Sequence, residues 1–144
     1  TVEFEPGATS LEQEKAGYVV ASLGVDSGYV PYTAFSAKQS YIKKHPDVIQ
    51  AFTDALQQGM EYVNTHTPEE IAASIQPQFS ETDTATITTI IRRYQKQDTW
   101  KRDLVFSEDS FTLLLDILES AGQLEKRPDY QDVVTTEYAE KALQ

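Results

Sequence analysis

His45 and His66 are the two histidines of this chain, and each stands just before a helix start, His45 before Pro46 and His66 before Thr67-Pro68. An imidazole can ligate a metal or carry a proton near neutral pH. Neither has a carboxylate, His or Cys at ligand spacing, so a solvent-facing residue at a helix junction is the better reading. Three acidic clusters, Glu69-Glu70, Glu81/Asp83 and Glu108-Asp109, could hold a cation or serve as acid and base. All three fall in first turns of predicted helices, where the helix dipole favours negative charge, and that explains them without a ligand. There is no glycine-rich phosphate loop, no Gly-x-Ser-x-Gly elbow and no His-x-x-x-His helix. The chain has no Cys, which removes disulfides, thiolate catalysis and thiolate metal sites. No catalytic residue, metal or cofactor is expected.

Trp100 is the single tryptophan and could stack on a ligand, but packing a helix end against the core is the commoner fate. Two other segments look better placed to bind. The loop Phe4-Glu5-Pro6-Gly7-Ala8-Thr9 joins a strand-like stretch to a helix start. In open α/β sheets, ligands settle beyond the carboxyl ends of strands, where the free amides of residues 10–12 would point. Tyr29, Pro31, Tyr32 and Thr33 form a polar and aromatic set on an extended stretch. An ordinary tight loop and a packed strand are the plain readings of these two segments.

The elements that must position them alternate at first. Val2–Glu5, Tyr18–Ser22 and Val30–Ala37 read as short strands, the last because Pro31 biases Val30 away from helix. Thr9-Ser10-Leu11-Glu12 reads as a capping box opening a helix over about residues 10–16, with Gly17 as its stop and residues 24–28 a loop. After residue 38 the pattern turns helical. Pro46 opens a long helix with Val48, Ile49, Phe52, Ala55, Leu56, Gly59, Met60 and Val63 at helical spacing. Thr67-Pro68-Glu69-Glu70 opens a second. Ser80 to Asp83 opens a third, carrying Ile87, Ile90, Ile91 and Tyr94. Ser107-Glu108-Asp109 opens a fourth, with Phe111, Leu114, Leu115 and Leu118 inside and Gly122 as its stop. A short segment near Val133–Val134 and a helix near Glu137–Leu143 follow.

A chain of 144 residues makes one ordinary domain. Its 23 acidic and 12 basic residues give a formal net charge of −11, which repels nucleic acid and anionic membrane. No apolar run reaches the roughly 18 residues that span a bilayer. The chain opens inside a strand-like stretch and has few strands to build a sheet. It is therefore expected to be the later part of a longer protein, with its strands' neighbours elsewhere.

Phe4-Glu5-Pro6, Gly17-Tyr18-Val19-Val20-Ala21-Ser22, Val30-Pro31-Tyr32-Thr33-Ala34-Phe35 and Ile42-Lys43-Lys44-His45-Pro46 together resemble the later half of ABC-importer substrate-binding proteins. The group is the nitrate/sulfonate/taurine family, which includes binders of thiamine-pyrimidine precursors. Arg93 to Trp100 and Ala121-Gly122-Gln123-Leu124 look like the same group. The resemblance implies an α/β fold, the C-terminal part of a two-lobed, type II periplasmic-binding-protein-like clamshell. Residues 1–29 would end the second lobe, 30–37 would cross over, and 38–144 would complete the first lobe. It implies Glu5, Pro6, Tyr32 and Thr33 as ligand-lining residues. It implies a small sulfonate, nitrate, taurine or aminopyrimidine-type ligand passed to the permease subunits of an ABC importer. It places the protein outside the cytoplasm, in a periplasm or lipid-anchored by an upstream segment.

Two other readings stand beside it. One is a thiamine-pyrimidine synthase-like enzyme on the same scaffold, whose chemistry goes with a Cys-rich iron-binding motif that this chain lacks. The other is a stand-alone helical interaction module. On the clamshell reading, unpaired strand edges would drive self-association.

Overall fold

A computed structural model describes residues 1–144, and every regular element in it is helical. The order is α1 (Gly7–Gln13), α2 (Leu23–Ser27), α3 (Gln39–Lys44), α4 (Pro46–Thr65), α5 (Pro68–Ile75), a 3-10 turn (Gln76–Gln78), α6 (Thr84–Lys96), α7 (Glu108–Ser120), α8 (Tyr130–Val133) and α9 (Glu137–Ala142). This overturns the expected α/β architecture: with no strand and no sheet, the fold is not a type II periplasmic-binding-protein-like one. The physical reason lies in what β propensity measures. Val, Tyr and Phe favour strands because they pack well on a pleated, half-buried surface, and a strand exists only as a paired ladder. The three β-prone stretches pair with no strand here. Tyr18 and Val20 are 76% and 95% exposed, and Tyr32 and Phe35 80% and 76%. The amide of Val19 donates to a Glu12 carboxylate oxygen at 2.9 Å instead of to a neighbouring strand.

The front of the chain departs from expectation in detail as well. The first helix starts at Gly7, not near residue 10, and Thr9 lies inside it. The Thr9–Glu12 capping box is absent, because the Glu12 carboxylate is engaged elsewhere. The chain leaves this helix through Lys15 at φ 57°, ahead of the expected stop at Gly17. Leu23–Ser27 form the single-turn helix α2 where residues 24–28 are expected as a loop, and α3 lies where no separate helix is expected.

From residue 46 on, start and stop signals are mostly obeyed; the start expected at Ser80 moves to Asp83, since residues 80–82 form a turn. Pro46 opens α4, and α5 carries a complete capping box: the Thr67 hydroxyl accepts from the Glu70 amide while Glu70 accepts from the Thr67 amide. Asp83 caps α6 and Ser107 caps α7, each accepting from the amide three residues on. Gly122, at φ 66°, closes α7 in the left-handed region that glycine adopts freely.

The chain divides into two compact units, Thr1–Asp26 with Glu61–Lys101, and Ser27–Met60 with Arg102–Gln144. In the first, Ile71 and Ala72 of α5 and Ile87 and Ile91 of α6 form a buried cluster, flanked by Tyr62, Val63, Ile75 and Trp100. Trp100 stands edge-on to Tyr94 at 5.5 Å and packs the end of α6, as its sequence position indicated. In the second, Phe111 and Leu115 of α7 and Ala139 of α9 are buried, and Phe106, Phe111 and Tyr130 meet edge-on at 5.5–6.4 Å. The Tyr130 hydroxyl donates to the Phe106 carbonyl, and burial, ahead of the charges of Glu108 and Glu140, raises its pKa.

Candidate functional site

Glu5 belongs to the most elaborate polar constellation of the first unit. Its side chain is 6% exposed. One carboxylate oxygen accepts from the Thr9 amide at 3.0 Å and the other from the Arg93 guanidinium at 2.5 Å. The other terminal nitrogen of Arg93 donates to Glu12, and the first also reaches the Thr9 hydroxyl at 3.5 Å. α6 thus presents a cation to two carboxylates from the α1 region. Its other contact with α1 is polar too: the Gln13 amide donates to the Thr86 hydroxyl at 2.9 Å, and that hydroxyl donates to Asp83 at 2.7 Å. The Val19 amide, then the Arg93 side chain, hold the Glu12 carboxyl below its ordinary pKa. Burial works to lower the Arg93 pKa, but the Glu12 hydrogen bond and the charge of Glu5 outweigh it and raise it.

One cation between two carboxylates leaves a net negative charge, and the terminal guanidinium nitrogens already face protein acceptors. The cluster ties α1 to α6. Of the amides of residues 10–12 expected to be free beside this loop, that of Ser10 donates to the Pro6 carbonyl, and Leu11 and Glu12 lie inside α1. Pro6, joined to Glu5 by a cis peptide bond, is exposed beside it. Tyr32 and Thr33 lie exposed in the irregular stretch between α2 and α3, in the second unit. The structure therefore puts Glu5 and Pro6 side by side in one unit, and Tyr32 and Thr33 side by side in the other. Arg93, Glu12 and Thr9 escaped sequence reasoning as a set with Glu5, since a contact between residues 88 positions apart leaves no local pattern.

The histidines take structural places. His66 stacks on Tyr62 with ring centroids 3.8 Å apart, and its Nδ1 lies 3.0 Å from the Tyr62 carbonyl and from the Thr65 hydroxyl. His45 tilts against Tyr41 at 4.7 Å. No group of three or more His, Asp or Glu side chains converges as a metal site would. Glu69-Glu70 and Glu108-Asp109 sit in the first turns of α5 and α7, whereas Glu81 and Asp83, expected in a first turn, precede α6, with Asp83 as its cap.

The second unit also holds an open groove, lined by Gln39, Ile42 and Lys43 of α3, Pro46, and Thr135, Glu137 and Tyr138 near α9. Its walls mix one cation, one anion, hydroxyls and aliphatic carbon, and no local motif marks them in the sequence. No helix is long and apolar enough to cross a membrane.

Comparison with curated proteins finds a relative. The chain is 41% identical over 138 residues, 96% of its length, to "Putative binding protein YtlA" of Bacillus subtilis (strain 168). The chain spans 41% of that relative's length. No family model matches the chain, and no solved structure does.

Proposed function

We propose that this chain is part of a solute-binding component that captures a small molecule outside the cytoplasm and passes it to the permease of an ABC importer. The single observation that carries the reading is the 41% identity, over nearly the whole chain, to a protein named for binding. The ligand class is a small sulfonate, nitrate, taurine or an aminopyrimidine, on the resemblance of the segments around Glu5, Tyr32 and Arg93 to that group of binders. Capture involves no bond made or broken. Tyr32 and Thr33, exposed and rich in hydroxyl and ring surface, are the ligand contacts offered by the second unit; in the first unit the exposed candidate is Pro6, on a loop that Glu5 holds through Arg93 and the Thr9 amide.

Isothermal titration with taurine, alkylsulfonates, nitrate and aminopyrimidines tests the reading. One class is expected to give saturable heat that Tyr32→Ala with Thr33→Val weakens at least about tenfold, the loss of about 1.4 kcal/mol. Silence across the panel would overturn it. The helical-module reading is favoured by one observation, an architecture built from helices alone. Capture of a polypeptide rather than a solute would decide for it.

A further inference from the structure

Charge is unevenly spread along this chain. Acidic residues outnumber basic ones 23 to 12, yet none occurs between Asp26 and Asp47, a stretch that holds Lys38, Lys43 and Lys44. None of these three lysines has an ion-pair partner. Lys43 and Lys44 end α3, where the helix dipole favours cations, and that accounts for lysine there. It does not account for what lies beside Lys43. That residue stands on a wall of the open groove of the second unit, a space of about 420 Å³. Sites for small molecules run from roughly 300 to 1,000 Å³. The walls are fixed from outside the groove. Ala139, 8% exposed, anchors α9, and the Gln50 amide of α4 donates to the Tyr138 carbonyl at 3.0 Å. α3 runs into α4 through His45, whose amide donates to the Tyr41 carbonyl at 2.9 Å and whose carbonyl accepts from the Ile49 amide at 3.2 Å. Both walls therefore hang from one long helix. Inside, the polar groups are not engaged with one another. The Gln39 side-chain amide and the Thr135 and Tyr138 hydroxyls make no hydrogen bond within the chain. Glu137, the one anion on the walls, is paired with Lys141 at 2.5 Å, and the Lys141 ammonium lies 5.7 Å from the centre of the Tyr138 ring. With Glu137 offset, the charge left over is that of Lys43.

We propose that this groove is a binding site for a small organic monoanion, a carboxylate or sulfonate on a short hydrocarbon chain. Lys43 supplies the charge, and Gln39, Thr135 and Tyr138 supply hydrogen-bond donors for the acid group. Ile42, half-buried, and Pro46 supply apolar surface for the carbon chain. One uncompensated cation suits one negative charge; a polyanion would meet Glu137 on the same walls. An ammonium at a partly exposed site contributes modestly, so binding is weak and salt-sensitive. The site is separate from Tyr32, Thr33 and Pro6, and it does not depend on the reading that places the ligand there.

The test is titration of the 144-residue chain with butyrate and with butanesulfonate, followed by nuclear magnetic resonance at the Ile42 methyl and Tyr138 ring signals. Butanol and butylammonium are the neutral and cationic controls. Both anions are expected to shift these signals saturably, with a dissociation constant of about 1 mM at low salt, and the controls are expected to leave them in place. Lys43→Gln should weaken binding about fivefold, the size of one partly exposed charge pair. Glu137→Gln should strengthen it, because it removes the one anion on the walls and releases Lys141. Lys96→Gln, the same change of charge in the other unit, should have no effect. The unaltered chain alone can refute the proposal, whatever the variants do: unmoved Ile42 and Tyr138 signals, or shifts as large with butanol, would overturn it. So would equal weakening by Lys96→Gln, which would mean attraction to the chain's cations at large, or weakening by Glu137→Gln. The signals followed belong to the groove, so the outcome is distinguishable from that of the calorimetric titration, which is read at Tyr32 and Thr33.

Discussion

Arg93 decides more than any other single side chain in the first unit. It is 18% exposed, and it faces Glu5, 6% exposed, and Glu12, 28% exposed. Removing one partner of a buried ion pair leaves the other charged group away from water without compensation. Arg93→Met is therefore expected to cost about 3 kcal/mol, read as a lower urea midpoint. Trp100 fluorescence is the probe, since the tryptophan lies in the same unit. Glu12→Gln should cost less, because Glu12 is the more exposed carboxylate and keeps an amide partner in Val19. The residue types at these positions were readable as charged; their pairing was not. The Glu5 carboxylate is engaged by Thr9 and Arg93.

Helix ends are where local rules worked best. Thr67, Asp83 and Ser107 each accept from the amide three residues later, as the patterns at Thr67 and Ser107 foretold, whereas the third helix was expected to open at Ser80 and is capped by Asp83 instead. Ser107→Ala should destabilise the second unit by about 1 kcal/mol, measured by thermal unfolding followed by circular dichroism. The acidic caps predict a pH dependence with a definite sign. The Glu70 carboxyl is held low by the Thr67 amide and then its hydroxyl, and Asp83 by the Thr86 hydroxyl and then its amide. A depressed native pKa means that the folded chain binds fewer protons than the unfolded one, so acid destabilises it. The stabilising contribution is complete above the ordinary values of 4.5 for Glu70 and 3.8 for Asp83, and disappears as pH falls through the lower native values. The difference in urea midpoint between the wild type and Glu70→Gln should be constant near neutrality and should close as pH drops below 4.5. Strand signals failed where cap signals succeeded. A cap is satisfied within three residues, whereas the apolar stretch from Tyr18 to Ser22 needs a second strand that nothing near it supplies.

Across the whole molecule, charge and exposed apolar surface oppose each other. A net charge of −11 keeps copies apart near neutrality, while Tyr18, Val20, Leu23, Tyr32, Phe35 and Phe52 all face solvent. The isoelectric point is about 4.5, where that repulsion vanishes. Light scattering at constant protein concentration should rise sharply as pH approaches 4.5 and fall again when salt-free solution is returned to neutrality. Persistent scattering at neutral pH would mean that apolar attraction outweighs the charge.

By itself the sequence determined the helical half of this protein. Caps, prolines and apolar periodicity from residue 46 onward act within one or two turns, so α4 to α7 and the inward positions of Ile87, Ile91, Phe111 and Leu115 follow from neighbours in the chain. It also determined the acidic surface and the lack of thiol chemistry. The tertiary structure alone decided that the β-prone stretches stay unpaired, that Glu5 joins Arg93, and that α4 keeps an apolar side in water. Each of these depends on which distant group arrives, or fails to arrive, within hydrogen-bonding or packing distance, and residue order carries no local record of that.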